Sequence, residues 1–152
     1  MAVYKYRMQN ILDIKQKLEE SAKMEFGEAN ARVLSEEEKL ALIEYRKQEY
    51  ESEGRKLREE KLHVVDIRSN AQAVSVLREM IKTQEKEVEK AKVIQEQKRV
   101  QLQEAMQERK IQEKLRENDF EEFVREEYAR ESKEIDELVS YVYGKRSKEE
   151  EK

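Results

Sequence analysis

The chain contains no proline in 152 residues, and this absence constrains its fold more than any other feature. Proline breaks a helix because it lacks an N–H group and its ring clashes with the preceding turn. A chain without proline can therefore stay helical over long stretches. Charged residues make up 45% of the sequence and apolar residues only 37%. A typical globular domain contains ~25% charged and ~45–50% apolar residues. The composition predicts long helices with a thin core, of the coiled-coil kind.

The same composition argues against several kinds of chemistry. Without cysteine there is no disulfide or thiolate metal site. The single histidine, His63, cannot form a histidine-based metal cluster by itself and is expected to lie exposed near a turn. Carboxylates are abundant, but catalysis needs a shaped, partly dry site, which two paired helices do not provide. We therefore expect no enzyme activity, no cofactor, no metal and no small-molecule ligand.

Membrane insertion and nucleic-acid binding are not expected either. No apolar run reaches the ~18 residues of a membrane-spanning helix, and the N-terminus lacks the apolar core of a signal peptide. The net charge is −4, and positive and negative residues are interleaved, so no basic field exists to hold nucleic acid. The sequence predicts a cytosolic protein.

Two apolar stripes with steps of three and four residues predict two helices, since this spacing keeps side chains on one face. The first stripe is Tyr4, Met8, Ile11, Lys15, Leu18, Ala22, Phe26, Ala29, Val33, Leu40, Ile43 and Tyr50. The second begins Val74, Leu77, Ile81, Gln84, Val88, Ala91, Gln95, Lys98, Leu102 and Ala105. It resumes as Phe120, Val124, Tyr128, Glu131, Ile135, Leu138 and Val142.

The spacing is interrupted between the stripes, which predicts a connection. Ser69 and Gln72 fit a capping box at the start of a new helix, just after an apolar cluster without helical spacing: Leu62, Val64, Val65 and Ile67. Gly27 and Gly54 are interpreted as positions that make the first helix more flexible, each lowering helix stability by ~1 kcal/mol relative to alanine.

These observations predict an all-α fold, a long two-helix antiparallel coiled-coil hairpin. Helix 1 is expected at about 2–62, the connection at about 62–70 and helix 2 at about 70–144. The hairpin should form a single domain over 1–147, followed by a frayed charged tail over 148–152. The two stripes mate if the residue numbers of each facing pair sum to about 138 or 139. This register pairs Tyr4 with Ile135, Ile11 with Tyr128, and Leu18 with Phe120, so the terminal parts of the stripes pack on each other.

Some apolar residues lie off the predicted seam between the helices. Leu42, Tyr45 and Glu49 step along a second face of helix 1, and Val76, Met80 and Thr83 form a similar line on helix 2. Exposed aromatic and methionine side chains suit partner binding. A surface patch without a function is an equally good interpretation of these residues.

Both ends of the chain resemble a known family. Residues 4–15 combine two tyrosines, an arginine, an apolar residue, a glutamine and two further apolar residues, and residues 114–137 repeat Glu and Arg around Tyr128 before an acidic Asp136–Glu137 pair. These segments are similar to the two ends of the flagellar export protein FliJ family. The resemblance covers nearly the whole chain.

This resemblance implies a non-enzymatic stalk and general chaperone of the bacterial flagellar type III export apparatus. Family members are antiparallel coiled coils similar to the gamma stalk of rotary ATPases. They bind the centre of a hexameric export ATPase, contact the cytoplasmic domain of the export gate and escort export chaperones. By analogy, the chain should be a monomeric hairpin when isolated, and should associate peripherally with the membrane at the flagellar base.

The resemblance also assigns candidate binding residues. For the export gate they are Glu38, Leu42, Tyr45, Val76, Met80 and Gln84. For the ATPase they are Tyr4, Arg7, Gln9, Ile11, Tyr128, Ile135, Leu138 and Val142.

Two alternatives remain open from the residues alone. The chain can be a generic scaffolding coiled coil, including the equivalent stalk of an injectisome. It can also be a partly disordered, chaperone-like helix that folds only on its partner.

Overall fold

Two α-helices make up the fold. The computed structural model describes residues 2–61 and 63–151, with α1 at Gln9–Glu59 and α2 at Val64–Glu150. The two helices pack against each other, and the described residues contain no strand. The predicted all-α helical hairpin is confirmed. Leu62, in the predicted connection, and Lys152, in the predicted tail, lie outside the described residues.

The connection is shorter and earlier than the predicted segment 62–70. Glu60 N still donates to Lys56 O at 3.2 Å, and the exposed His63 begins the next helix by accepting a hydrogen bond from Ile67 N at 3.1 Å. Ser69 therefore lies inside α2 and does not cap it. Val64 and Val65 of the apolar cluster are exposed, at 69% and 79%, in the first turn of α2.

The ends of the helices also differ from the prediction. Residues 2–6 are not helical, and Tyr4 among them packs against α2 as described below. At the other end, α2 continues past Gly144 to Glu150. Gly144 has no positive φ and does not terminate the helix, so the predicted tail over 148–152 is helical as far as Glu150.

Packing divides the hairpin into two units: Met1–Leu18 with Met106–Lys152, and Glu19–Ala105. The single domain predicted over 1–147 stays a prediction. In the second unit the buried apolar side chains are Ala29, Val33, Val74, Leu77, Val88 and Ala91. All six belong to the predicted stripes, so the predicted seam of this unit is confirmed.

Polar layers interrupt that apolar seam. Gln95 Nε2 donates to Asn30 Oδ1 at 2.6 Å, and Lys98 Nζ lies 3.0 Å from Glu25 Oε2. The predicted register places Lys98 and Gln95 opposite Leu40 and Ile43, and these pairings are wrong. The Asn30–Gln95 layer is half-buried, and such a layer costs stability but specifies register, because a shifted partner would leave its amide groups unsatisfied.

The first unit departs most from the predicted register. Leu12, which is not on the predicted stripe, is its buried residue at 1% exposure, whereas Ile11 and Leu18 are 38% and 50% exposed. Tyr4 meets Phe120 and not Ile135. The predicted pairs Tyr4–Ile135, Ile11–Tyr128 and Leu18–Phe120 are therefore wrong.

The position of the connection explains this error. Residues at equal distance from the connection of a hairpin face each other. The predicted pairs centre on about residue 69, at the late edge of the predicted connection, whereas the observed Tyr4–Phe120 pair centres on residue 62, so every predicted partner is displaced by about fifteen residues. That shift is close to two heptads, which returns a helix to almost the same face. Apolar periodicity alone cannot distinguish the two registers.

Gly54 has a packing role that the sequence did not reveal. It is buried in the second unit, and Asn70 of α2 lies against it while Asn70 Nδ2 donates to Tyr50 O at 2.9 Å. A Cβ atom at position 54 would overlap Asn70 Oδ1, whereas a Cβ atom at Gly27 would meet nothing within 4 Å. Glycine at position 54 therefore allows the two helices to approach each other.

We expect Gly27→Ala to raise the free energy of unfolding by about 0.5–1 kcal/mol, the usual gain in a helix interior. Gly54→Ala should gain less or destabilise, because Asn70 must give up a hydrogen bond worth ~0.5–1.5 kcal/mol. In an Asn70→Ala background, Gly54→Ala should again stabilise like Gly27→Ala. Urea denaturation measures all four variants, and equal gains at both glycines in the native background would contradict this account.

Candidate partner-binding surfaces

The residues expected to contact the export gate lie in the second unit, and we call them the mid-helix surface: Glu38, Leu42, Tyr45, Val76, Met80 and Gln84. Four of them present large apolar surface to solvent: Leu42 at 53%, Tyr45 at 59%, Val76 at 53% and Met80 at 44% exposure. Glu38 is exposed too. Leu42 and Tyr45 are free of the buried seam, as their off-stripe positions predicted.

Two neighbouring grooves make Val76 and Met80 accessible from the side. One has a volume of about 470 Å³ and includes Ile43, Val76, Met80 and Gln84 in its lining. The other, of about 610 Å³, shares Val76 and Met80 and is bounded on α1 by Arg46, Glu49 and Tyr50. Glu49 lies one helical turn beyond Tyr45, so the exposed row of α1 borders this groove. The surface can accept apolar side chains from a partner.

Gln84 differs from the other five residues of the mid-helix surface. It is half-buried, and its Nε2 donates to Glu36 O at 3.0 Å and to Glu36 Oε2 at 2.5 Å. This hydrogen bond lowers the pKa of Glu36, and the Lys39 ammonium lowers it further against the opposing effect of partial burial. Gln84 therefore holds α2 to α1 at the edge of the groove.

The residues expected to contact the ATPase lie in the first unit, and we call them the terminal surface: Tyr4, Arg7, Gln9, Ile11, Tyr128, Ile135, Leu138 and Val142. The structure does not bring the two halves of this set together. Tyr4 and the half-buried Gln9, which donates to Asp13 Oδ1 at 2.9 Å, lie at the start of the chain with the exposed Arg7 and Ile11. The other four lie farther along α2, beyond the residues that Tyr4 contacts.

An aromatic cluster anchors the N-terminal segment to α2. The Tyr4 ring lies 5.0 Å from Phe120 in an edge-to-face arrangement and 5.2 Å from Phe123, between ring centroids. Its hydroxyl donates to Asp119 Oδ2 at 2.9 Å, and the Tyr6 hydroxyl lies 3.5 Å from Gln112 Oε1. Aromatic pairs in this geometry stabilise beyond simple burial. The residues that resemble a family motif therefore have a structural role in this unit.

This cluster predicts a pH dependence. Burial raises the pKa of Tyr4 above its ordinary value of 10.0, and the hydrogen bond to Asp119 and its negative charge raise it further. The folded state thus favours the neutral phenol, so this stabilisation is present below about pH 10 and is lost as the pH rises through the raised pKa. From about pH 8 to about pH 11.5, Tm should fall more for the wild type than for Tyr4→Phe, whose ring cannot ionise. An equal fall for both proteins would contradict the prediction.

The α2 half of the terminal surface is uncovered. Tyr128, Ile135, Leu138 and Val142 are 75%, 59%, 65% and 49% exposed. Every described residue from 128 to 151 is exposed, so nothing in the described chain covers this part of α2. The stripe continues the face by which α2 meets the N-terminal segment, because Phe120, Val124 and Tyr128 follow one another at intervals of four.

Other kinds of site are not found among residues 2–61 and 63–151. No group of three or more acidic or histidine side chains could hold a metal ion, and no helix is long and apolar enough to cross a membrane. Glu19, which is buried with 5% exposure, forms an ion pair with Lys23 at 3.4 Å. It was not predicted to be buried, because it does not belong to the predicted apolar stripe of α1.

Taken together, the described residues form a two-helix protein with exposed apolar rows and open grooves. The family model described as "Flagellar FliJ protein" matches residues 4–148. The chain therefore belongs to the FliJ family, a family of non-enzymatic flagellar export components. No curated protein and no solved structure matches the chain.

Proposed function

We propose that this chain is the stalk and general chaperone of the flagellar type III export apparatus, binding the centre of the hexameric export ATPase and linking it to the export gate. The family match over residues 4–148 carries the proposal, since it places the chain in flagellar protein export. A scaffolding coiled coil outside the flagellum receives no comparable support. The chain would then act at the cytoplasmic side of the membrane, at the flagellar base.

The mid-helix surface supports the proposed gate contact. Leu42 and Tyr45 expose apolar area on α1, and Val76 and Met80 expose apolar area while lining two grooves. An aromatic anchor that becomes buried on binding often contributes more than ~2 kcal/mol to an interface. We assign gate binding to these four residues and to Glu38, with Gln84 keeping the groove in shape.

The terminal surface supports the proposed ATPase contact. Tyr128, Ile135, Leu138 and Val142 form an uncovered helical stripe, which suits insertion into a channel lined by apolar side chains. Tyr4 and Tyr6 hold the N-terminal segment beside the start of that stripe. The same exposed stripes are available to export chaperones.

A separation-of-function experiment tests this assignment. Tyr45→Ala with Met80→Ala should weaken gate binding by about tenfold or more, corresponding to ~1.4 kcal/mol, and should leave ATPase stimulation intact. Leu138→Asp should do the reverse, abolishing co-elution with the ATPase hexamer and its increase in ATP turnover. Both variants should keep wild-type helicity and Tm, because the substituted residues are exposed.

Matched controls are available on each helix. Leu34 and Val93 are 60% and 48% exposed and belong to neither surface, so Leu34→Ala and Val93→Asp should leave both binding activities unchanged. The assignment is wrong if the two test variants impair both partners equally or impair neither.

A further inference from the structure

The first unit exposes apolar side chains on both of its helices, and we call five of them the lateral face: Ile11, Ile14, Leu18, Ile111 and Leu115. Each is between 38% and 58% exposed. Within each helix they follow one another at steps of three and four residues, which keeps them on one side of that helix. They are separate from Leu12, the buried residue of this unit.

An ion pair between the helices shows that both rows of the lateral face lie on the same side of the unit. Lys15 Nζ lies 2.8 Å from Glu108 Oε2. Lys15 is one helical turn from both Ile11 and Leu18 on α1, and Glu108 is one turn before Ile111 on α2. The two apolar rows therefore border the same ion pair and form one continuous face.

The segments that carry the lateral face are basic, although the whole chain has a net charge of −4. Residues 7–18 and 107–118 together contain seven basic and four acidic side chains. All four carboxylates already have a partner within the unit: Glu108 with Lys15, Glu113 with Arg109, Glu117 with Lys114, and Asp13 with Gln9. Arg7, Lys17 and Lys110 are exposed and form no ion pair among residues 2–61 and 63–151. This surplus of positive charge suits an anionic partner.

We propose that the lateral face is a membrane-contact site, with which the chain lies on the surface of a bilayer that contains anionic lipids. The five apolar side chains enter the headgroup boundary, while Arg7, Lys17 and Lys110 stay at the level of the lipid phosphates. No helix of the described residues is long and apolar enough to cross a membrane, and this contact requires none.

The shape of the face favours a bilayer over an acidic partner helix. None of the five residues lines the groove of about 440 Å³ in this unit, which Gln16 and Glu113 border. A partner helix needs such a groove to receive its side chains. A bilayer needs only an exposed apolar face with cations beside it.

This inference goes beyond the proposed function, which brings the chain to the membrane through protein partners. The lateral face gives the chain a direct contact with lipid and depends on neither the ATPase nor the gate. The experiments below therefore use the chain alone with lipid vesicles. Ile11 also belongs to the terminal surface, so it is left unchanged in every variant.

Vesicle sedimentation tests the proposal. The wild-type chain should bind vesicles of phosphatidylcholine with about 30% phosphatidylserine at least tenfold more tightly than vesicles of phosphatidylcholine alone. Raising the salt concentration to about 0.5 M should weaken this binding, because salt screens exposed charges. Equal binding to both kinds of vesicle, or no binding to either, would overturn the proposal.

Two pairs of substitutions separate the charges from the apolar side chains. Lys17→Glu with Lys110→Glu, and independently Ile14→Ser with Ile111→Ser, should each weaken binding to the anionic vesicles about tenfold or more. The matched controls, Lys86→Glu with Lys90→Glu and Leu34→Ser with Val93→Ser, change exposed residues of the second unit and should bind like the wild type. Circular dichroism should show equal helicity in all four. Equal losses in test and control variants would overturn the proposal.

A fluorescent label tests which side of the unit meets the lipid, since the chain has no native cysteine. An environment-sensitive fluorophore on Ile111→Cys should shift its emission to shorter wavelength when anionic vesicles are added. The same label on Glu117→Cys, in the lining of the groove, should shift little. A shift at Glu117 without one at Ile111 would overturn the assignment of the lateral face.

Discussion

Leu12→Ala is expected to lower the free energy of unfolding by about 2–5 kcal/mol, the usual cost of truncating a fully buried leucine. Leu12 is 1% exposed and is the largest fully buried side chain of the described chain. It lines a groove of about 440 Å³ with Tyr4 and Phe120, so its removal would enlarge that space and weaken the aromatic cluster. Urea denaturation followed by circular dichroism measures the loss.

Leu18→Ala provides the matched control, because Leu18 has the same side chain in the same helix and is 50% exposed. We expect a change within about 0.5 kcal/mol. The opposite result, a large loss at Leu18 and none at Leu12, would favour the register predicted from the apolar stripes.

Ala91→Leu is expected to lower the free energy of unfolding by about 1–3 kcal/mol, because additional methyl groups in a well-packed seam force side chains or backbone apart. Ala91 is 2% exposed in the second unit, where Ala29 is also buried at 6%. Small residues at such positions allow helices to approach closely. The comparison is made by thermal and urea unfolding.

Ala71→Leu is the control for this substitution, since Ala71 lies exposed in the same helix. Leucine and alanine have similar helix propensities, so the exposed change should stay within about 0.5 kcal/mol. Equal effects at the two positions would mean that Ala91 does not lie in a close-packed seam.

The candidate surfaces were predicted to different degrees. The exposure of Leu42 and Tyr45 followed from their positions off the stripe, because a helix can bury only one face against a single partner helix. The grooves beside Val76 and Met80 could not be predicted, since they depend on which α1 residues lie opposite. The binding roles of these residues stay predictions.

The terminal residues show why the register matters for function. A stripe such as Ile135, Leu138 and Val142 has the same pattern whether a partner helix covers it or leaves it exposed. Its interpretation as part of the hairpin core was wrong, because the Tyr4 ring packs on Phe120 and Phe123, and every described residue from 128 to 151 is exposed. The sequence identified the stripe, and the structure changed its meaning from core to surface.

By itself, the sequence determined that this protein is a pair of long helices and which side of each helix is apolar. Helix periodicity and the absence of proline are local properties, so they do not depend on the partner helix. The tertiary structure alone decided where α2 begins and which residues of the two helices face each other. It also decided that Asn70 packs against Gly54 and that residues 128–151 stay exposed. These features depend on the position of a short connection, and a shift of two heptads leaves the apolar pattern almost unchanged.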